Sequence, residues 1–374
     1  MKEFLNVKKK MEEGVEKGVF PGAVLLVSIG KEIAFHKAFG FRSVMPEKKP
    51  MTEDTVFDIA SLTKVVASTT AIMILFKERR ISLENKAGEF VPDFNCKEKE
   101  NITFRNLLNH CAGLPDWLPL YRGLLEKQKS TNEFSKYDGK QYIYSRVNKE
   151  PLVYVPETNC KYSDMGFIIL GEIIEIICGK GLDKYCEEKI FNPLSLSATF
   201  YNNLFEQSSA LKQKNRLFAS TENCPWRKKV LEGEVHDDNA YAMGGIAGHT
   251  GVFSTGIDLH RFTTEILKCY SGEGGFIPQR IVREFLMRQD IVRGSSWALG
   301  WDTPSPDIST SGHYFSKKSA GHLGYTGTSI WIDLEREIEI ILLTNRVHPT
   351  RENRSIAKFR PEIHDLVMKE IGIC

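Results

Sequence analysis

The chain has 374 residues, long for one simple domain and suited to a two-lobed enzyme. Lys and Arg number 50 against 48 Asp and Glu, so the net charge of +2 gives no sign of a nucleic-acid-binding surface. A hydrophobic share of 41% builds a sizeable core and excludes a disordered chain.

Residues 2–17 place Phe4, Leu5, Val7, Met11 and Val15 at helical spacing. The first 18 residues are charged throughout, with no apolar stretch and no small-residue cleavage site. A cytoplasmic protein is expected. Ala23–Ser28 and Glu32–Phe39, joined by Ile29-Gly30-Lys31, read as a β-hairpin. Residues 43–55 read as loop. Phe57–Ser61 reads as β-like, followed by an apolar helix to Lys77 with Ser61 at its N-terminus. Residues 121–150 and 201–240 are polar and read as loops or surface insertions. Phe167–Cys178 is interrupted by Glu172 and Glu175, which marks a buried helix face and not a membrane span. In the last third, 296–301, 314–316, 329–334 and 338–344 read as strands, and 359–372 as a closing helix. Strands at both ends with helices between them imply an α+β fold. An antiparallel sheet would be flanked by helices and carry an inserted helical lobe. The expected division is one discontinuous domain, with a sheet lobe of 1–60 and 250–374 and a helical lobe of 61–249.

The eight cysteines form no C-x-x-C pair and are too sparse for a disulfide scaffold, so free thiols are expected. His236, Asp237 and His249 invite a metal reading, but their spacing fits no standard zinc motif, and neither metal nor cofactor is expected.

Ser61-Leu62-Thr63-Lys64 is an S-x-x-K tetrad. The same spacing recurs at Ser28/Lys31, Ser209/Lys212 and Ser355/Lys358, so spacing alone proves little. Context sets Ser61 apart. It opens an apolar helix, where side chains at i and i+3 share a face and the helix N-terminus lends partial positive charge. A free lysine titrates near about 10.4, so burial has to supply its reactivity.

Phe57–Lys64 (FDIASLTK), Thr103–Pro115 (TFRNLLNHCAGLP), Tyr162-Ser163-Asp164 and Gly321–Thr328 (GHLGYTGT) follow one another in order. Together they resemble the serine β-lactamase and penicillin-binding-protein superfamily, in its class C-like branch of hydrolases and esterases. The resemblance implies Ser61 as the nucleophile of an acyl-enzyme and Lys64 as its base. It implies Tyr162 as a proton-transfer partner acidified by Lys64. The N–H groups of Ser61 and Tyr325 would form the oxyanion hole. His322-Leu323-Gly324 stands where penicillin-binding enzymes commonly carry Lys-Thr-Gly, which weakens the permanent charge offered to a substrate carboxylate. Asp164 replaces a common asparagine and adds negative charge near the substrate. His236 and Asp237 lie in a segment that borders the cleft in the subgroup. Arg346 is either a carboxylate hook or part of a surface salt bridge. The subgroup includes enzymes of cell-wall turnover, some similar to N-acetylmuramyl-L-alanine amidases, others esterases, D-Ala-D-Ala carboxypeptidases or weak β-lactamases. The expected partner is a small-molecule substrate, with no nucleic acid and no membrane. The competing readings are a non-catalytic binding protein on the same fold and a metallohydrolase.

Overall fold

The computed structural model describes residues 4–131, 138–206, 208, 213–306 and 309–374. The Ser209/Lys212 match lies outside the described residues. Among the described residues there are eleven strands: β1 (Gly22–Ile29), β2 (Glu32–Ser43), β3 (Lys49–Pro50), β4 (Phe57–Asp58), β5 (Phe200–Tyr201), β6 (Asn223–Cys224), β7 (Lys229–Val230), β8 (Val252–Ser254), β9 (Ser319–Leu323), β10 (Ser329–Asp333) and β11 (Ile338–Thr344). The main sheet runs β3-β2-β1-β11-β10-β9 and is antiparallel throughout. It pairs the N-terminal hairpin with the last strand, Leu25 opposite Leu342. The fold is therefore α+β.

Side-chain alternation sorts this sheet into two faces. Ala23, Leu25, Val27, Ile340 and Leu342 pack with Val7 and Met11 of the Leu5–Glu16 helix and with Phe359 and Ile363 of the Ile356–Glu370 helix. Val24, Leu26, Ile341 and Leu343 join the larger core, with Leu259 and Phe262 of the Gly256–Ser271 helix. Helices cover both faces, so β11 is buried along its whole length, an apolar run from Ile340 to Leu343 with buried Glu339 facing His260 Nδ1 at 2.7 Å.

Several elements depart from the sequence reading. The Tyr121–Thr131 and Asp138–Lys149 segments are helices, not loops. Among the described side chains, Tyr121 and Leu124 are the buried apolar ones in the first, and Ile143, Tyr144 and Val147 in the second. Residues 296–301 form no strand; Trp297 makes a lone bridge to Asp302. Residues 314–316 form none either, because the Ser316 N–H donates to the Asp333 carboxylate at 2.9 Å. The edge strand next to β10 is β9. Ala60–Lys77 is long and apolar enough to cross a membrane, but 83% of it is buried inside the protein. Six cysteines are free, whereas Cys111 and Cys160 form a disulfide. Their loops are brought together by the Lys161 N–H on the His110 carbonyl (3.1 Å) and the Ser163 N–H on His110 Nδ1 (3.2 Å).

Candidate active site

A small sheet, β4-β8-β5, aims the chain at Ser61. After β4 the backbone turns sharply, and Ala60 adopts φ +46°, a left-handed conformation costly for a residue with a Cβ. Buried Asp58 holds this turn. Its carboxylate accepts the Ala60 N–H at 2.9 Å and the His236 N–H at 2.7 Å. Burial raises its pKa, and those two donors pull it back only in part. Ser61 follows in a single 3₁₀ turn, Ala60–Leu62, and a π-helical stretch, Lys64–Thr69, leads into the Thr70–Lys77 helix.

Lys64 is fully buried. Its Nζ lies 3.1 Å from Ser61 Oγ, 2.6 Å from Asp164 Oδ1 and 3.0 Å from the His249 carbonyl. Burial pushes its pKa down and Asp164 opposes; burial wins, and the amine sits below its ordinary range. Asp164 therefore faces the lysine, rather than standing as a free charge before the substrate.

Tyr162 precedes the Asp164–Cys178 helix, whose N-cap Ser163 accepts the Gly166 N–H. The phenol faces both the Ser61 hydroxyl and the Asp164 carboxylate. The ring packs against His110 (4.7 Å), Trp297 (5.6 Å) and His322 (6.0 Å), with Lys64 Nζ 4.9 Å from its centroid. The expected acidification does not occur. Burial and then Asp164 hold the phenol well above its ordinary pKa, so Tyr162 keeps its proton at neutral pH.

His322 is buried, and its Nδ1–H donates to the Leu323 carbonyl at 2.8 Å. Burial, with the Lys64 charge second, lowers its pKa to about 3. The imidazole is neutral, so this position presents an acceptor instead of a cation. The turn after β9 is tied to the nucleophile strand: Thr326 Oγ1 donates to the Asp58 carbonyl (2.8 Å) and Thr328 Oγ1 to the Ile59 carbonyl (3.0 Å). A Cβ on Gly324 would stand 2.0 Å from Thr328 Oγ1 and 2.5 Å from the Ile59 carbonyl, so only glycine permits this approach. Tyr325 is half exposed between His236 (rings 5.7 Å apart) and Arg346 (4.6 Å).

Arg346 lines the cavity and is not part of a surface salt bridge. It pairs with no carboxylate among the described residues; its guanidinium donates to the carbonyls of Arg351, Asn353 and Tyr325. It is a brace for the Tyr325 turn. His236 lies 3.4 Å from Glu222, and Asp237 caps the Asp238–Ala242 helix while facing His249 at 3.1 Å and Trp117 Nε1 at 3.2 Å. Each of these histidines thus has a carboxylate partner within the protein.

These side chains enclose a cavity of about 860 Å³. Ser61, Tyr162, Asp164, His236, Asp237, His322, Gly324, Tyr325 and Arg346 all line it, and Lys64 lies beneath. Sequence reasoning missed Trp117, Trp297, Asp302, Arg351, Arg354 and Arg360, also in its wall. His110, packed on Tyr162, was visible only as part of the LLNHCAGLP segment.

The beta-lactamase family model matches residues 7–364. The N-acetylmuramyl-L-alanine amidase of Bacillus subtilis (strain 168) is 30% identical over 91% of this chain and 81% of its own length. Among solved structures, the octameric penicillin-binding protein homologue from Pyrococcus abyssi superposes with a TM-score of 0.74 at 19% identity, covering 98% of this chain and 78% of that one. EstCE1, a hydrolase with promiscuous acyltransferase activity, superposes with a TM-score of 0.73 at 19% identity, covering 97% of both chains. The chain belongs to the beta-lactamase family and is a serine hydrolase.

Proposed function

We propose that Ser61 attacks the carbonyl of an amide or ester and carries the acyl group as an ester intermediate, with an N-acetylmuramyl-L-alanine amide as the natural substrate. The observation that carries this reading is the fully buried Lys64 amine, 3.1 Å from Ser61 Oγ at the floor of the cavity. In its neutral form Lys64 takes the Ser61 proton as the C–O bond forms. Tyr162, held as a phenol, protonates the departing nitrogen and regains its proton from Lys64. The N–H groups of Ser61 and Tyr325 receive the developing oxyanion, an effect typically worth about 3 kcal/mol per donor. Water then cleaves the acyl-enzyme by the reverse proton path. The amide assignment draws on the kinship to the Bacillus subtilis amidase and on neutral His322, which gives a β-lactam carboxylate no cation at that position.

The test has two parts. A fluorophosphonate is expected to label wild type and not Ser61→Ala; labelling of the alanine variant overturns the nucleophile. Mass spectrometry after incubation with a MurNAc-peptide is expected to show release of the peptide. Rapid turnover of nitrocefin with no peptide release rejects the amidase assignment.

A further inference from the structure

The cavity is lined by more than the groups around Ser61. Its wall also takes in the segment after β11 and the first turns of the Ile356–Glu370 helix, including Arg351, Arg354 and Arg360. The charges along the cavity pair unevenly. Asp164 holds Lys64, Asp237 faces His249, Asp116 meets Lys161 at 3.3 Å, and Asp238 takes Arg227 (2.9 Å) and Arg351 (3.4 Å). Arg351 is bound a second time by Glu222. Asp302 is the carboxylate without a cation in contact; burial raises its pKa to about 6.

Two cations remain. Arg354 is exposed at the cavity rim, and its guanidinium has no carboxylate partner among the described residues. Arg360 is 5% exposed, and its Nε has no hydrogen-bond partner. The charge felt by Arg360 comes from Arg346, which repels it. Burial lowers its pKa only to about 10, so it stays cationic at neutral pH. Its field helps keep neighbouring His364 neutral, after burial. An unpaired buried charge is strongly unfavourable in a finished fold. One that lines a substrate cavity is satisfied by an anion arriving with the substrate, and a planar guanidinium suits a carboxylate's two oxygens.

We propose that Arg360, with Arg354 at the rim, forms a subsite for a second, distal carboxylate of the acyl compound cleaved at Ser61. The inference rests on the hydrolase reading and adds a substrate class to it: acyl compounds with a free acid group at the end of the acyl chain remote from the scissile bond.

The test compares p-nitrophenyl monoesters of suberic acid whose distal acid is free or capped as a methyl ester. Wild type is expected to favour the free acid roughly ten- to a hundredfold in kcat/KM, mostly through KM. In Arg360→Gln the ratio falls towards one, and in Arg360→Lys it is intermediate. Taking the ratio within each protein cancels general damage to turnover. A wild-type ratio near one, or an unchanged ratio in Arg360→Gln, overturns the subsite. If Ser61 does not label and neither ester reacts, the hydrolase reading fails by itself. Calorimetric titration with free suberate then still reads the subsite. Binding to wild type that weakens about tenfold or more in Arg360→Gln supports it. Equal affinity or no binding overturns it, and a preference for inorganic phosphate over suberate overturns the carboxylate assignment.

Discussion

At Lys64 the sign of the pKa shift decides how the rate depends on pH. The amine must be neutral to take the Ser61 proton, and burial lowers its pKa from 10.5 against the pull of Asp164. The rate therefore rises with pH through a value below 10.5. Lys64→Arg, which stays protonated, is expected to lose about 10²- to 10⁴-fold in acylation rate, measured by fluorophosphonate labelling. Tyr162 moves the other way, raised well above 10.0, so it adds no deprotonation step to kcat/KM below about pH 10. A falling alkaline limb near neutrality that disappears in Tyr162→Phe would contradict the proton-donor role. His322, with a pKa of about 3, is neutral throughout the working range. His322→Gln is accordingly expected to keep the profile's shape between about pH 5 and 8, whatever it does to the absolute rate. A limb that vanishes in this variant would show that the imidazole titrates.

Among the elements, the approach of the 248–251 segment to the Asp164–Cys178 helix fixes the lysine's surroundings. A Cβ on Gly248 would lie 2.0 Å from the Phe167 carbonyl and 2.9 Å from Gly171, and all of these contacts are backbone. Gly248→Ala must push the segment outward. The His249 carbonyl would leave Lys64, and the Gly248 carbonyl would leave the Ser68 hydroxyl, which now donates to it at 2.5 Å. A loss of about 1–3 kcal/mol in urea unfolding is expected, together with slower Ser61 labelling; full activity in a stable variant would show that the carbonyl is dispensable. The same elements explain what was legible. The Asp164–Cys178 helix announces itself through the Ser163 cap, its apolar periodicity and Gly179 at φ +66°. The first hairpin does so through Gly30 between two apolar runs. The Gly256–Ser271 helix left a readable signature, Thr255 accepting the Asp258 N–H and Gly272 closing the end, that the sequence reading passed over. The Tyr121–Thr131 and Asp138–Lys149 helices were hidden because most of their residues are polar. At the site, Ser61 and Lys64 are three residues apart and could be read locally. Tyr162, Asp164 and His322 come from distant parts of the chain and emerged only through the family's motif order. Arg360 gave no signal: between apolar Phe359 and Ile363 it reads as a surface cation, and only tertiary packing buries it.

Across the whole molecule, closing the sheet from both chain ends leaves histidines buried and neutral, and this sets the response to acid. His322 and His364 are lowered by burial from 6.5 to about 3, and His110 is pushed well below 6.5 for the same reason. An unfolded histidine takes up a proton near pH 6.5, whereas these resist until far lower pH. The unfolded state therefore binds more protons across that window, and stability falls as pH drops from 6.5 towards 3. Asp302 acts in the opposite direction. Its pKa is raised from 3.8 to about 6, so it favours the folded state as pH falls through 6. Asp58 and Glu172, also raised by burial, act with Asp302, but the histidines win: His322 and His364 are displaced further than Asp302, and His36 and His348 are lowered by burial as well. Glu222 adds to the acid loss only below about pH 4.5: burial would raise its pKa, but His236 and Arg351 outweigh burial and bring it to about 2. Each tenfold difference in proton affinity between the folded and unfolded chain is worth about 1.4 kcal/mol. Moving from pH 7 to pH 5 is therefore expected to remove a few kcal/mol, a large part of an ordinary domain's stability. Urea midpoints at the two pH values measure this. His364 lies outside the substrate cavity, so His364→Gln should flatten the dependence without touching the catalytic groups directly. Equal midpoints at pH 7 and 5, or an unchanged slope in that variant, would mean that the buried imidazoles do not govern the acid response.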